Sequence, residues 1–230
     1  MATPTVRAVG TSDAQSFGAA INPGLPAGTK PGDLLIYLMA SYQSFNASGW
    51  TNVPLSPLNS ALIKNTWFSV LYRIATGTDP TASTGGSALV LIGQIMGITA
   101  GTFLASDPFG ASASGASTVT RVAPGVTTVR PNSLIVSCVG APTVTAGSVI
   151  TGWANGLLDS VTTQIDIGSA ISAGSGIGAM TGVKRVTEPS GPSTYVEGSG
   201  FDNNVLTLAV NGTDGFVSDT PRYDFGRGSA

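Results

Sequence analysis

The side chains able to do chemistry here are few: 12 acidic residues, 10 basic ones, one cysteine and no histidine among 230 residues. Lack of histidine removes Ser-His and Cys-His nucleophilic catalysis in their usual forms. A single cysteine, Cys138, allows neither an internal disulfide nor a thiolate zinc site. It lies in the apolar run Leu134-Ile135-Val136-Ser137-Cys138-Val139, where a buried, inert thiol is expected. Paired carboxylates, the remaining route, serve glycoside hydrolysis when both project from strands into one cleft. Only Asp159 and Asp166 fall in strand-like sequence; the other acids scatter over turns. Ser172-Ala-Gly174-Ser-Gly176-Ile-Gly178 has the glycines of a phosphate loop but neither the fingerprint spacing nor a following helix, so a tight turn is expected. Asp202-Asn203-Asn204 offers oxygen ligands without the spacing of a calcium loop and reads as a β-turn. No catalytic residue, cofactor or metal is therefore expected.

Trp50, Trp67 and Trp153 could stack on sugars. Two of them belong instead to a repeated block. Pro31-Gly32-Asp33-Leu34-Leu35-Ile36-Tyr37-Leu38 is followed by Gly49-Trp50, and Pro131-Asn132-Ser133-Leu134-Ile135-Val136-Ser137-Cys138 by Gly152-Trp153. Each copy reads as a turn, an apolar strand, a polar loop and a tryptophan entering the next strand. That symmetry makes the tryptophans anchors of the core, together with Leu35, Tyr37, Leu71, Ile135 and Cys138.

The elements that must position these residues are all strands. Leu34 to Tyr42 is apolar throughout, as a strand covered on both faces must be. Alternation is clearest over Thr66 to Ala75; Ala88 to Ile98 reads as another apolar strand, Val161 to Ile167 and Ala170 to Val183 as paired strands joined by a glycine-bearing turn, Val205 to Val210 as the last strong strand, and Val6 to Gln15 as a first edge strand. Ala105 to Thr120, with Gly-Ala-Ser-Ala-Ser-Gly-Ala-Ser at its centre, reads as a flexible loop. Short strands punctuated by Gly and Pro, with no amphipathic helix, predict an all-β protein. We expect a two-sheet antiparallel β-sandwich, jelly-roll-like, with two similar halves in one domain. Its parts are an N-terminal arm over residues 1–14, halves at about 15–104 and 119–212, and a C-terminal tail over 213–230.

Charged residues make up 10% of the chain, against a usual share of about 25%. The polar surface is thus mostly Ser, Thr, Asn and Gly, a surface suited to being covered by neighbours. A net charge of −2 and no basic run argue against nucleic-acid binding. The residues after Met1 have no basic and apolar leader pattern, and no uninterrupted apolar window marks a membrane span.

The segment from Phe17 through Leu25-Pro26-Ala27-Gly28-Thr29-Lys30-Pro31-Gly32-Asp33-Leu34-Leu35-Ile36, then Ser48-Gly49-Trp50-Thr51-Asn52-Val53, then Tyr72-Arg73-Ile74-Ala75, resembles a module of tailed-bacteriophage structural proteins. Leu134-Ile135-Val136 is similar to that module's second-half strand. The resemblance spans most of residues 15–210. It implies a virion protein, made in the bacterial host cytoplasm, that decorates a capsid or belongs to a minor tail or fibre assembly. Its partners would be other virion proteins and further copies of itself. Expected contact residues lie in the termini and loops: Thr5, Arg7, Tyr42, Phe45, Arg222, Tyr223, Phe225 and Arg227. The alternative is a receptor-binding module whose loops 43–60 and 105–118 recognise a host surface glycan.

Overall fold

The structure is a computed structural model that describes residues 2–16, 20–43, 46–59, 67–84, 90–117, 121–142, 150–169, 175–197 and 202–213. All regular structure in it is β. The first half of the chain supplies β1 (Val6–Val9), β2 (Asp13–Ser16), β3 (Leu34–Ser41), β4 (Asn46–Ala47), β5 (Thr51–Asn52), β6 (Leu58–Asn59), β7 (Trp67–Ile74), β8 (Ser83–Thr84) and β9 (Val90–Ile98). The second half supplies β10 (Phe109–Ser117), β11 (Val122–Ala123), β12 (Ser133–Pro142), β13 (Ile150–Ala154), β14 (Asp159–Gly168), β15 (Ser175–Lys184), β16 (Ser193–Glu197) and β17 (Asn203–Val210). No helix among the described residues is long and apolar enough to cross a membrane.

The two halves build the same object. In the first, the strand order is β1-β9-β3-β7-β5, with β2 also on β9 and β6 also on β7. In the second it is β10-β17-β12-β15-β14. Each pairing is antiparallel, and each half keeps its own sheet. The connections repeat as well: β4 pairs β8 outside the first sheet, as β13 pairs β16 outside the second. Ile21 bonds Ser83 through main chain, as β11 pairs β16 through Ala123 and Ser193.

Local chemistry explains why the copies start alike. The second residue of each leading turn takes a left-handed conformation, Gly32 at φ 89° and Asn132 at φ 52°, which glycine and asparagine tolerate best. In each turn that residue's N–H reaches the end of the third main strand, Gly32 to the Ala75 carbonyl (2.9 Å) and Asn132 to that of Arg185 (3.2 Å). The apolar strand follows at once. All eight residues of β3 are buried because both of its faces are covered. Leu34, Ile36, Leu38 and Ala40 face the other sheet; Leu35, Tyr37 and Met39 face an outer cover formed by Ile21, Leu25, Ala47 and Trp50. β12 divides in the same way. Leu134, Val136 and Cys138 point to the inter-sheet core, and Ile135, Val139 and Ala141 point to a cover made by β11, β16 and β13. The sandwich therefore has four layers, cover, sheet, sheet and cover, with three apolar seams.

Two expectations change. The stretch over Ala105 to Thr120 is no flexible loop: nine of its residues form β10, in register with β17 from Ala111↔Ala209 to Ser117↔Asn203. Small residues have weak strand preference, and a tertiary ladder overrides it. β1 and β2 both pair β9 and form the first edge expected over Val6 to Gln15. Asn203 and Asn204 open β17 and are buried, so no β-turn sits there.

Candidate functional site

The titratable groups meet in pairs, not in a cluster. Asp33 ends the first leading turn, and its side chain is fully buried. It accepts hydrogen bonds from Arg7 Nε (2.6 Å) and Nη2 (2.9 Å), Lys30 N–H (2.8 Å) and Ala100 N–H (2.8 Å). Burial by itself raises its pKa. The hydrogen bonds from Arg7, Lys30 and Ala100, with the guanidinium charge, outweigh it and hold the carboxyl below its ordinary value. Asp79 repeats the arrangement after β7. Burial raises its pKa, but the Thr76 and Gly77 N–H groups, the Thr76 hydroxyl and the charge of Arg73 (Nε to Oδ1, 3.0 Å) lower it further. A third buried pair joins Arg121 to Glu197 at 3.0 Å. Arg7–Asp33 and Arg121–Glu197 clamp segments distant in sequence, which is why sequence reading missed them, whereas Arg73–Asp79 closes the local turn after β7; the only local signal for the first was Asp33 directly after Pro31-Gly32.

The strand carboxylates are also occupied. Asp166 accepts the Ile150 N–H at 2.8 Å, tying cover strand β13 to β14. Asp159 makes an exposed ion pair with Arg185 at 2.5 Å. Among the described residues no three His, Cys, Asp or Glu side chains gather as a metal site needs. Gly176 and Gly178 lie within buried β15, where a side chain on Gly178 would collide with Ile150. They serve close packing; the earlier part of that glycine-rich stretch, 170–174, lies outside the described residues.

The two block tryptophans hold matched places with different partners. Gly49 and Gly152 both take positive φ, 78° and 60°. Trp50 packs edge-to-face on Tyr37 (5.2 Å between ring centroids), donates from Nε1 to the Pro80 carbonyl, and lies under the Arg73 guanidinium at 5.8 Å. Trp153 packs on Tyr195 at 4.8 Å. The residue equivalent to Tyr37 is Ser137, bonded to Ser193 and Thr207 hydroxyls. The second cover thus draws its tyrosine from β16. Leu35, Tyr37, Leu71, Ile135 and Cys138 are fully buried and Trp153 nearly so, whereas Trp50 and Trp67 are only half-buried. Burial pushes the Cys138 thiol up to about 12.

Of the residues expected at a partner interface, Arg7 is committed to Asp33 inside the fold. Thr5 is exposed, its N–H donating to Thr102 Oγ1 and its carbonyl accepting from Thr99. Tyr42 is half-buried, with burial raising its pKa. Phe45, Arg222, Tyr223, Phe225 and Arg227 lie outside the described residues.

No family model matches this chain, and neither the curated proteins nor the solved structures include a match.

Proposed function

We propose that this chain is a non-enzymatic structural component of a bacteriophage particle, decorating the capsid or belonging to the tail, and held there by other virion proteins. One observation carries the reading. The short motifs through which the sequence resembles phage structural modules converge on a single spot of the fold and serve packing there. Asp33 N–H and carbonyl close the leading turn, the carbonyl accepting from Ala75 N–H at 2.7 Å. Thr51 pairs with Tyr72, and Arg73 lies over Trp50 while ion-paired with Asp79. The pattern of Gly-Asp-Leu-Leu, Gly-Trp-Thr and Tyr-Arg-x-Ala thus reads as one architectural device. Scarcity of charge supports the same reading, because several of the few charged residues are committed to the internal pairs Arg7–Asp33, Arg73–Asp79 and Arg121–Glu197. A surface of Ser, Thr, Asn and Gly then meets neighbours without burying unpaired charge.

The test is mass spectrometry and image reconstruction of purified particles from the phage whose genome encodes the chain. It is expected in stoichiometric amount, with its sandwich fitting density on the capsid or tail. Particles that lack it refute the proposal. Truncation of residues 221–230, the proposed anchoring tail, is expected to abolish incorporation.

A further inference from the structure

The duplication supplies an internal control for sheet edges. A strand at the edge of a sheet exposes a row of unpaired N–H and C=O groups, and proteins blunt such edges with bulges, charges, covers or short strands. The two main sheets have four edges. In the first sheet, one edge is the broken pair β1 and β2, carrying Arg7 and Asp13. The break at Gly10 to Ser12 is covered, since Gly24 donates to the Thr11 carbonyl (3.0 Å), and Asn22 N–H bonds Asp13 (2.7 Å). Among the described residues its opposite edge is the two-residue strands β5 and β6. In the second sheet, β14 carries Asp159 and Asp166 and two register breaks, with Ser160 at φ 55°.

β10 occupies the place of β1 and β2 and, past its first two residues, has none of these devices. It runs Phe-Gly-Ala-Ser-Ala-Ser-Gly-Ala-Ser without a charge, a proline or an internal break beyond the irregularity between Phe109 and Ala111. Among the described residues only β17 pairs with it. Ser114, Gly115 and Ala116 are exposed. Phe109 fixes its start by packing edge-to-face on Tyr72 at 5.0 Å. Val129, 58% exposed, lies against Gly110, so close that a Cβ there would fall 2.4 Å from Val129 Cγ2. An exposed apolar side chain thus flanks the open ladder.

Resting on the structural reading above and naming the contact it uses, we propose that β10 is a self-association edge. The β10 strands of two copies pair antiparallel about a two-fold axis, extending the five-stranded sheet to ten. Charge selects the second copy as the occupant. An antiparallel two-fold sets residue i of one β10 against residue j of the other, so a residue meets its own copy near the axis, where like charges are destabilising; β10 has no charge at any position, while the edges that do carry charge are also the broken ones. Glycine, alanine and serine allow close approach on both faces. The seven residues in unbroken register, Ala111 to Ser117, make about six to eight main-chain hydrogen bonds, an isologous ladder that closes on itself.

Sedimentation velocity of the full chain tests this. The wild type is expected to be a dimer at micromolar concentration. Ser114→Lys with Ala116→Lys, both exposed positions, is expected to raise the apparent dissociation constant about tenfold or more. Its thermal midpoint as a folded monomer shows that the sandwich is intact. Hydrogen exchange adds a residue-level readout, with outward amides of residues 111–116 protected in the wild type and exchanging in the variant. A monomeric wild type, or a lysine variant that stays dimeric, overturns the proposal. So does a chain lacking residues 214–230 that becomes monomeric, since the tail would then be the contact. Purified particles that lack a chain shown to dimerise through β10 refute the virion reading alone. A monomeric chain found in particles refutes the edge alone.

Discussion

Replacing Asp33 by asparagine tests whether the first half is held by its buried clamp. The substitution is nearly isosteric but leaves one acceptor oxygen where four donors converge, two from Arg7 and one each from Lys30 and Ala100. At least two donors lose their acceptor, and the guanidinium loses its counter-charge. Two hydrogen bonds to a charged group at about 1.5 kcal/mol each give about 3 kcal/mol. That is the low end of the cost of breaking a buried pair, consistent with an Arg7 side chain that is 20% exposed and so partly screened. For a chain of this length the thermal midpoint falls by roughly 6–12 °C. The assay is urea or thermal unfolding of wild type, Asp33→Asn, Arg7→Met and the double variant. The double variant is expected to lose clearly less than the sum of the singles, because the interaction is already absent after either change. Acid supplies a second arm. The folded carboxyl lies below its ordinary 3.8, so its contribution is complete above that pH and disappears as pH falls through the folded value. The gap between wild type and Asp33→Asn is therefore constant from neutrality to about pH 5 and shrinks below about pH 4. A loss under about 1 kcal/mol, strict additivity, or a gap that widens in acid would refute the clamp.

Two further outcomes follow from packing. Gly140→Ala places a methyl 2.4 Å from Phe68 Cδ2 across the seam between the sheets and is expected to cost about 1–3 kcal/mol in chemical denaturation. Gly115→Ala, whose nearest atom would be 3.8 Å away, is expected to be neutral or slightly stabilising, and equal losses for the two would contradict this packing. Cys138, fully buried and with its pKa pushed up to about 12, is expected to resist a disulfide reagent at pH 8 until the protein unfolds. Labelling of the native chain within minutes would show that the inter-sheet core opens.

What was legible in the residues was what local chemistry dictates. Pro31-Gly32 and Pro131-Asn132 announce turns because only certain residues accept a left-handed backbone. The unbroken apolar runs of β3 and β12 announce strands covered on both faces, since alternation disappears when neither face meets water. The repeat of turn, strand and Gly-Trp was visible for the same reason. Partners distant along the chain left no such trace. Arg7 with Asp33 and Arg121 with Glu197 are ion pairs only because β9 pairs with both β1 and β3, and β11 pairs with β16. The half-burial of Trp50 and Trp67 likewise depends on which covers reach them. β10 is the clearest case: its glycines, alanines and serines carry no pattern, and they form a strand because β17 offers a ladder beside them. Sequence alone determined that there are two like halves made of strands, because turns and apolar runs act over a few residues. Tertiary structure decided that each half keeps its own sheet, which charges are neutralised, and which edge stays open, because those depend on what the rest of the chain places alongside.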